Sequence, residues 1–164
     1  MNFLLHSITG METAINMCHY LMDNAHQTVQ QYLEDTDIIN KLQYTQSVLY
    51  RLQRYVHSKR LSDPCHPVVL AISGVIDIVQ LLRRDIIHIR KINETHKQQW
   101  FHTWYSPDDK VALKQLETHV KIHDLRVHRL NETLPFLETN VFTSSQDTDT
   151  TTLDIKPLER RHSI

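Results

Sequence analysis

Apolar residues recur at alternating steps of three and four in four separate stretches of this chain. The mean step of about 3.5 residues is the period of helices that pack against one another along a continuous seam. The four stripes are Met11, Ile15, Cys18, Met22, Ala25, Val29 and Tyr32; Ile38, Leu42, Thr45, Leu49, Leu52 and Val56; Val68, Ile72, Val75, Val79, Leu82, Ile86 and Ile89; and Leu113, Leu116, Val120, His123, Val127, Leu130, Leu134 and Leu137. They predict helices at about 10–34, 36–60, 67–93 and 107–138, and leave open an extension of the third helix to residue 104.

Local signals support each predicted helix start. Residues 9–12 have the sequence Thr-Gly-Met-Glu, the spacing of a capping box, and either Asp35 or Thr36 can cap the second helix. Two prolines within residues 62–67 interrupt the chain ahead of the third helix. Residues 106–109 have the sequence Ser-Pro-Asp-Asp, which predicts a cap, a proline at the first helical position and acids in the first turn of the fourth helix.

Together these segments predict an all-α fold, an antiparallel four-helix bundle with coiled-coil-like packing over residues 1–139. From residue 140 the chain becomes a polar run of Ser, Thr and Asp that cannot bury a core, so residues 140–164 are predicted to form a flexible tail. Ser163 follows two arginines in this tail and is a candidate phosphorylation site. The apolar run of the third helix is too short for a membrane span, and Asp77 interrupts it.

Composition narrows the range of functions. Among 164 residues only two are glycine, which disfavours glycine-rich phosphate loops and β-rich folds. A net charge of −1 gives no overall field that would attract nucleic acid. Cys18 and Cys65 are too few for a disulfide framework and no secretion signal is recognisable, so we expect a cytoplasmic protein. Because no nucleophile motif is recognisable, we expect no catalytic activity and no cofactor.

Twelve histidines make a metal site the first chemistry to consider. His119 and His123 are four residues apart, so one helix face carries both imidazoles, as in zinc and di-iron helical sites. Neither belongs to an HExxH motif, and His123 also falls on the apolar stripe, where it can be a core side chain with one hydrogen bond. We therefore predict no metal and keep both histidines as candidate ligands, with a pH-sensitive helix packing through a buried His123 as a further hypothesis.

Two further clusters are candidate binding surfaces. Residues 1–40 carry five acids and no Lys or Arg, whereas residues 41–91 carry nine bases and three acids. The second helix concentrates bases on one side, where they form a solvated face or bind a partner or anionic lipid. An aromatic cluster between the third and fourth helices either closes the end of the bundle or anchors a partner or a membrane. The candidate residues are Arg51, Arg54, Lys59 and Arg60 in the first cluster, and Trp100, Trp104 and Tyr105 in the second.

In outline, the wide apolar helix at residues 68–82 and the restart at residues 106–109 resemble the N-terminal four-helix domains of the mixed-lineage-kinase-like pseudokinase and of the fungal HeLo proteins. The resemblance covers residues 10–138 and implies a bundle that perturbs membranes; we carry over no functional residue from it. Our leading hypothesis is a non-enzymatic helical module that binds a protein partner or a second copy of itself, such as a viral accessory protein or a host-signalling regulator. A membrane-acting bundle that binds anionic lipid is the first alternative, and a His-ligated metal site is the second.

Overall fold

The computed structural model describes residues 2–56, 66–99 and 108–143, and the side chains of residues 6–53, 66–99 and 108–135. Its five α-helices are α1 (Asn2–Asn24), α2 (Gln27–Thr36), α3 (Ile38–Val56), α4 (Pro67–Gln98) and α5 (Lys110–Thr143). Helix accounts for 94% of the described residues, and no strand occurs among them. The all-α prediction is therefore confirmed.

The first helix begins earlier than the capping motif predicted. α1 already includes Thr9, and the Thr13 hydroxyl donates to the Thr9 carbonyl oxygen at 3.0 Å, as expected inside a helix. The predicted capping box at residues 9–12 is therefore wrong. The physical reason is that the buried face extends toward the N-terminus, where Ser7 and Ile8 are both buried, so the start of α1 follows tertiary burial rather than the cap signal.

The helix predicted at 10–34 is divided in two. α1 ends at Asn24, and His26 caps the N-terminus of α2 by accepting a hydrogen bond from the Thr28 backbone N–H at its ring Nδ1. The His26 backbone N–H donates to the Asn93 side-chain oxygen on α4, at 3.1 Å. A side chain distant in sequence thus accepts a hydrogen bond from the backbone at the break, and neither glycine nor proline marks it.

The junction between α2 and α3 lies at Asp37 rather than at a cap on Asp35 or Thr36. Asp37 has a left-handed backbone with φ of 51°, and its N–H donates to the Glu34 carbonyl oxygen. Aspartate tolerates this conformation better than most residues, because its short side chain can hydrogen-bond locally. Here one Asp37 carboxylate oxygen accepts from the Asn40 side chain at 2.7 Å.

The third predicted helix agrees best with the structure. α4 starts at Pro67, and His66 caps it through a hydrogen bond from the Val68 N–H to its Nδ1. α4 continues past Asn93 to Gln98, so it is not broken there. Every residue of the predicted stripe is buried with an exposure of 2% or less: Val68, Ile72, Val75, Val79, Leu82, Ile86 and Ile89.

The fourth predicted helix is shifted at both ends. α5 begins at Lys110 and not at residue 107, and the buried Asp109 supplies the carbonyl oxygen that accepts the Leu113 N–H. At the other end α5 runs to Thr143, so residues 140–143 are helical and were wrongly predicted as tail. The stripe nevertheless faces the core from Leu113 to Leu130. The remainder of the predicted tail, residues 144–164, lies outside the described residues.

Contacts between helices show how α5 and α1 are each directed relative to α4. Gln115 and His119 of α5 bond to Asp85 of α4, whereas Arg126 donates to the carbonyl oxygen of Gly74, so α5 runs back along α4. α1 runs in the same direction as α4. The Arg90 guanidinium lies 4.6 Å from the centre of the Tyr20 ring, and later in both segments His26 bonds to Asn93. All five helices contribute residues to one apolar core.

Candidate functional site

An ionisable pair joins α4 to α5 among apolar side chains. The Asp85 carboxylate is buried; one oxygen lies 2.5 Å from His119 Nδ1, and the other accepts from the Gln115 side-chain amide at 3.1 Å. Because a carboxylate only accepts hydrogen bonds, His119 donates through Nδ1. Both Asp85 oxygens therefore have partners on α5, and the His119 ring is hydrogen-bonded to α4 through Nδ1.

The second histidine bonds to a different helix. His123 is almost fully buried, and its Nε2 lies 3.0 Å from the Thr45 hydroxyl of α3, while its Nδ1 lies 3.3 Å from the neighbouring Asp124 carboxylate. The Thr45 hydroxyl donates its single proton to the Lys41 carbonyl oxygen at 2.9 Å, so its oxygen is left to accept from Nε2–H of His123. Burial lowers the pKa of His123 below its ordinary value of 6.5, although the Asp124 carboxylate opposes this shift.

The two candidate ligands thus turn to different elements. His119 bonds across to α4 and His123 bonds across to α3, although they lie one turn apart on α5. No group of three or more His, Cys, Asp or Glu side chains in the described part of the chain could hold a metal ion. In this arrangement both imidazoles serve as hydrogen-bonding links between helices.

The side of α3 opposite the core has the chemistry of a contact surface. We call it the α3 outer face; its exposed residues are Asn40, Gln43, Tyr44, Ser47, Tyr50 and Arg51. Both tyrosine side chains are 50% exposed, with the small Ser47 between them. Tyr and Arg are enriched at the energetic centres of protein interfaces, since each combines a large contact area with hydrogen-bonding groups.

Charge is distributed unevenly along this face. Glu34, Asp35 and Asp37 are exposed immediately before or at the start of α3, whereas Arg51 is exposed near its other end. Lys41, which also lies near the acidic end, is paired with Asp124 of α5 at 2.6 Å. Three exposed acids of α2 and the α2–α3 junction thus precede the α3 outer face, Arg51 lies near its other end, and the two tyrosines lie between them.

Of the candidate binding residues predicted from sequence, only Arg51 has a described side chain. The backbone of Arg54 belongs to α3, one turn beyond Arg51, but its side chain is outside the described set. The other candidates also lie outside the described residues, so the aromatic cluster and the end of the basic patch stay predictions: Lys59, Arg60, Trp100, Trp104, Tyr105 and Ser163.

Sequence reasoning missed several residues that the structure places at these sites. Asp85 lies three residues after the stripe residue Leu82. This spacing places it on the inward face of the helix, and it could have been used to predict that Asp85 is buried against another helix. Tyr44 and Tyr50 lie off the apolar stripe of a predicted helix, which was the signal for exposed aromatic side chains. Their partners could not be predicted, because the periodicity of one helix says nothing about its neighbour.

Comparison with protein-family models, curated proteins and solved structures found no match for this chain. Within the described ranges, no helix combines the length and the apolar character needed to cross a bilayer.

Proposed function

We propose that this protein is a non-enzymatic helical interaction module that pairs with a second copy of itself through the α3 outer face. The observation that carries the proposal is the exposure of Tyr44 and Tyr50 on either side of Ser47, on a helix that follows the acids Glu34, Asp35 and Asp37 in sequence and exposes Arg51 beyond the tyrosines. Tyrosine is enriched in interfaces relative to the rest of protein surfaces, and here two half-exposed tyrosines share one helix face.

The symmetry of the face favours a second copy as the partner. A two-fold axis through Ser47 would place Tyr44 of one copy opposite Tyr50 of the other, since both lie three residues from Ser47. The same operation places Arg51 of one copy opposite Gln43 of the other, about 9 Å along the helix from Asp37. Opposite charges of the two copies then lie closer together than in a parallel arrangement, which favours the antiparallel one.

Within one chain, we propose that the helices form an antiparallel four-helix bundle in which α1, α3, α4 and α5 pack at the coiled-coil period. Support comes from the reversed order of α5 along α4 and from the burial of the predicted stripes of α3 and α4. In an alternating bundle the first and third long helices run in the same direction, as the contacts between α1 and α4 indicate.

Sedimentation velocity over a range of protein concentrations tests the pairing. We expect a reversible monomer–dimer equilibrium for the wild type and a shift to monomer for Ser47→Arg, because the new side chain and its charge meet their own copy at the axis. Ser73→Arg is the matched control, since it introduces the same exposed side chain on α4. Circular dichroism of both variants confirms retained helix content.

Two results would contradict this function. One is a wild-type chain that sediments as a monomer at every concentration, and the other is a Ser73→Arg variant that dissociates as much as Ser47→Arg. A dimer that persists when both Tyr44 and Tyr50 are changed to Ala would also exclude the α3 outer face as its interface.

Anionic lipid is the second candidate ligand, because Arg51 is exposed beside the two tyrosines and Arg54 follows one turn later. Co-flotation with phosphatidylcholine vesicles, with and without phosphatidylserine, tests it. Binding only to the anionic vesicles, lost when Arg51, Arg54 and Arg60 are all changed to Ala, would favour a membrane-binding module. No flotation at low salt would exclude it.

A further inference from the structure

A groove between α1 and α4 shares no residue with the α3 outer face. Its volume is about 570 Å³, which lies within the range of about 300–1,000 Å³ typical of small-molecule sites. His6 and Gly10 line it from α1, and Arg83, Arg84 and Ile87 line it from α4. We call it the α1–α4 groove.

The groove combines apolar walls with basic groups. Ile87, which is 39% exposed, provides most of the apolar surface, the nearly buried Ile76 and Val79 lie at its floor, and Arg83 and Arg84 provide two guanidinium groups. None of the side chains that line the groove is acidic, in the part of the chain that the structure describes. A ligand that fits must therefore offer both an apolar body and a negative charge.

Arg83 indicates which chemical group a ligand of the groove would carry. Its Nε atom is buried and has no hydrogen-bond partner among the described residues. A buried donor without an acceptor costs free energy, and a guanidinium matches the paired oxygens of a carboxylate or a phosphate through two parallel hydrogen bonds. Because Nε itself is covered, a ligand in the groove reaches this guanidinium through its terminal nitrogens, of which Nη1 lies beside Gly10.

Gly10 leaves room beside this guanidinium. It lies inside α1, where glycine is less favourable than alanine by about 1 kcal/mol, and its backbone has no positive φ that would require glycine. A Cβ atom at this position would lie 4.0 Å from Arg83 Nη1. The missing side chain therefore widens the α1–α4 groove at the level of Arg83.

We propose that the α1–α4 groove binds an anionic amphiphile, a single alkyl chain with a carboxylate or phosphate head, whose head bonds to Arg83 and Arg84 and whose chain lies against Ile76, Val79 and Ile87. The two kinds of head share the chemistry that the arginines recognise. This site is separate from the α3 outer face, so its occupancy does not depend on dimer formation.

Titration of the full-length chain with dodecyl phosphate, dodecanoate and dodecanol, all below their micelle concentrations, tests the proposal. We expect saturable one-to-one binding of at least one of the two anions by calorimetry, with amide shifts centred on Gly10 and Arg83 in heteronuclear NMR spectra. Dodecanol and inorganic phosphate should bind at least about tenfold more weakly, because each lacks one half of the recognised chemistry.

Three variants make the test specific to the groove. Arg84→Gln removes an exposed charge at the site, and Gly10→Leu fills the groove while leaving both arginines in place. We expect each to weaken anion binding by about tenfold or more. Arg129→Gln, an exposed arginine on α5, is the matched control and should bind as the wild type does.

Several outcomes would overturn the proposal. They are equal affinity for dodecanol and the anions, amide shifts spread over all the helices, and binding that Gly10→Leu and Arg84→Gln leave unchanged. The Ser47→Arg variant separates this site from pairing. If the Ser47→Arg variant is monomeric and still binds the amphiphile, binding in the α1–α4 groove does not depend on pairing.

Discussion

His119 and His123 show at the scale of single residues how one helix face is shared between two neighbours. Both were expected on one side of α5, and both are there, but the structure gives each a different partner: Asp85 on α4 and Thr45 on α3. Spacing along the helix determines the face on which an imidazole lies. Which carboxylate or hydroxyl it meets depends on how the other helices are placed.

The folded protein should lose stability in mild acid because of His123. Burial lowers the pKa of His123 in the folded chain, whereas the unfolded chain binds this proton near pH 6.5. The unfolded state then holds more protons at any pH between these two values. The free energy of unfolding should therefore decrease as pH falls from 6.5 toward the lower folded pKa, and this contribution should be constant above that window.

Urea unfolding at about pH 7.5 and 5.5, on either side of the ordinary histidine pKa, measures the effect. The His123→Gln variant should lose part of the pH dependence of the wild type, and His88→Gln, at an exposed position on α4, is the control. The buried Asp109 also has a raised pKa, caused chiefly by burial. Its effect on the free energy of unfolding has the opposite sign to that of His123 and begins near its ordinary pKa of 3.8. Equal slopes for the two variants would show that His123 is not responsible.

The pair formed by Asp85 and His119 should behave as a unit. Changing His119 to Leu leaves the buried carboxylate with Gln115 alone, and we expect a loss of about 1–3 kcal/mol in the free energy of unfolding. Changing both residues to Leu should cost less than the sum of the two single changes, because an apolar pair needs no hydrogen bonds. Urea unfolding of the four proteins measures this coupling, and strictly additive losses would contradict it.

At the scale of elements, the break between α1 and α2 depends on one side chain. Asn93 accepts the His26 N–H through its side-chain oxygen and donates to the Ile89 carbonyl oxygen through its side-chain nitrogen. Both halves of the amide are therefore used in a buried position. The sequence predicted the apolar faces of α1 and α2 but not their separation, because the group that accepts the His26 N–H is on α4.

Changing Asn93 to Ala should leave the His26 N–H without its acceptor. We expect a loss of about 0.5–1.5 kcal/mol in the free energy of unfolding, the net contribution of a typical hydrogen bond, because His26 is exposed and this bond is only partly buried. Amide hydrogen exchange should become faster at His26, because the hydrogen bond that protects it is lost. Asn16→Ala, at an exposed position in α1, is the control and should change neither quantity appreciably.

At the scale of the whole molecule, the core joins helices that are distant in sequence, so it should open cooperatively. Cys18 reports on this, because its side chain is fully buried and burial raises the pKa of its thiol to about 12. A thiol reacts as the thiolate, so native Cys18 should be inert. In a Cys65→Ser background, its reaction with a thiol reagent should begin only in the denaturant range where the whole fold unfolds, as circular dichroism detects it. Reaction well below that range would show that α1 opens separately.

The sequence by itself determined which residues face inward, because helical periodicity is a local property that every turn repeats. The stripe of α4 and the inward positions of Thr45 and His123 follow from spacing, and the start of α4 at Pro67 follows from the missing backbone N–H of proline. Only the tertiary structure decided which helix covers which face. Apolar burial has no preferred direction, so it does not distinguish one neighbouring helix from another. The choice depends on directional contacts between residues far apart in sequence, such as those of Asp85 with His119 and of Asn93 with His26.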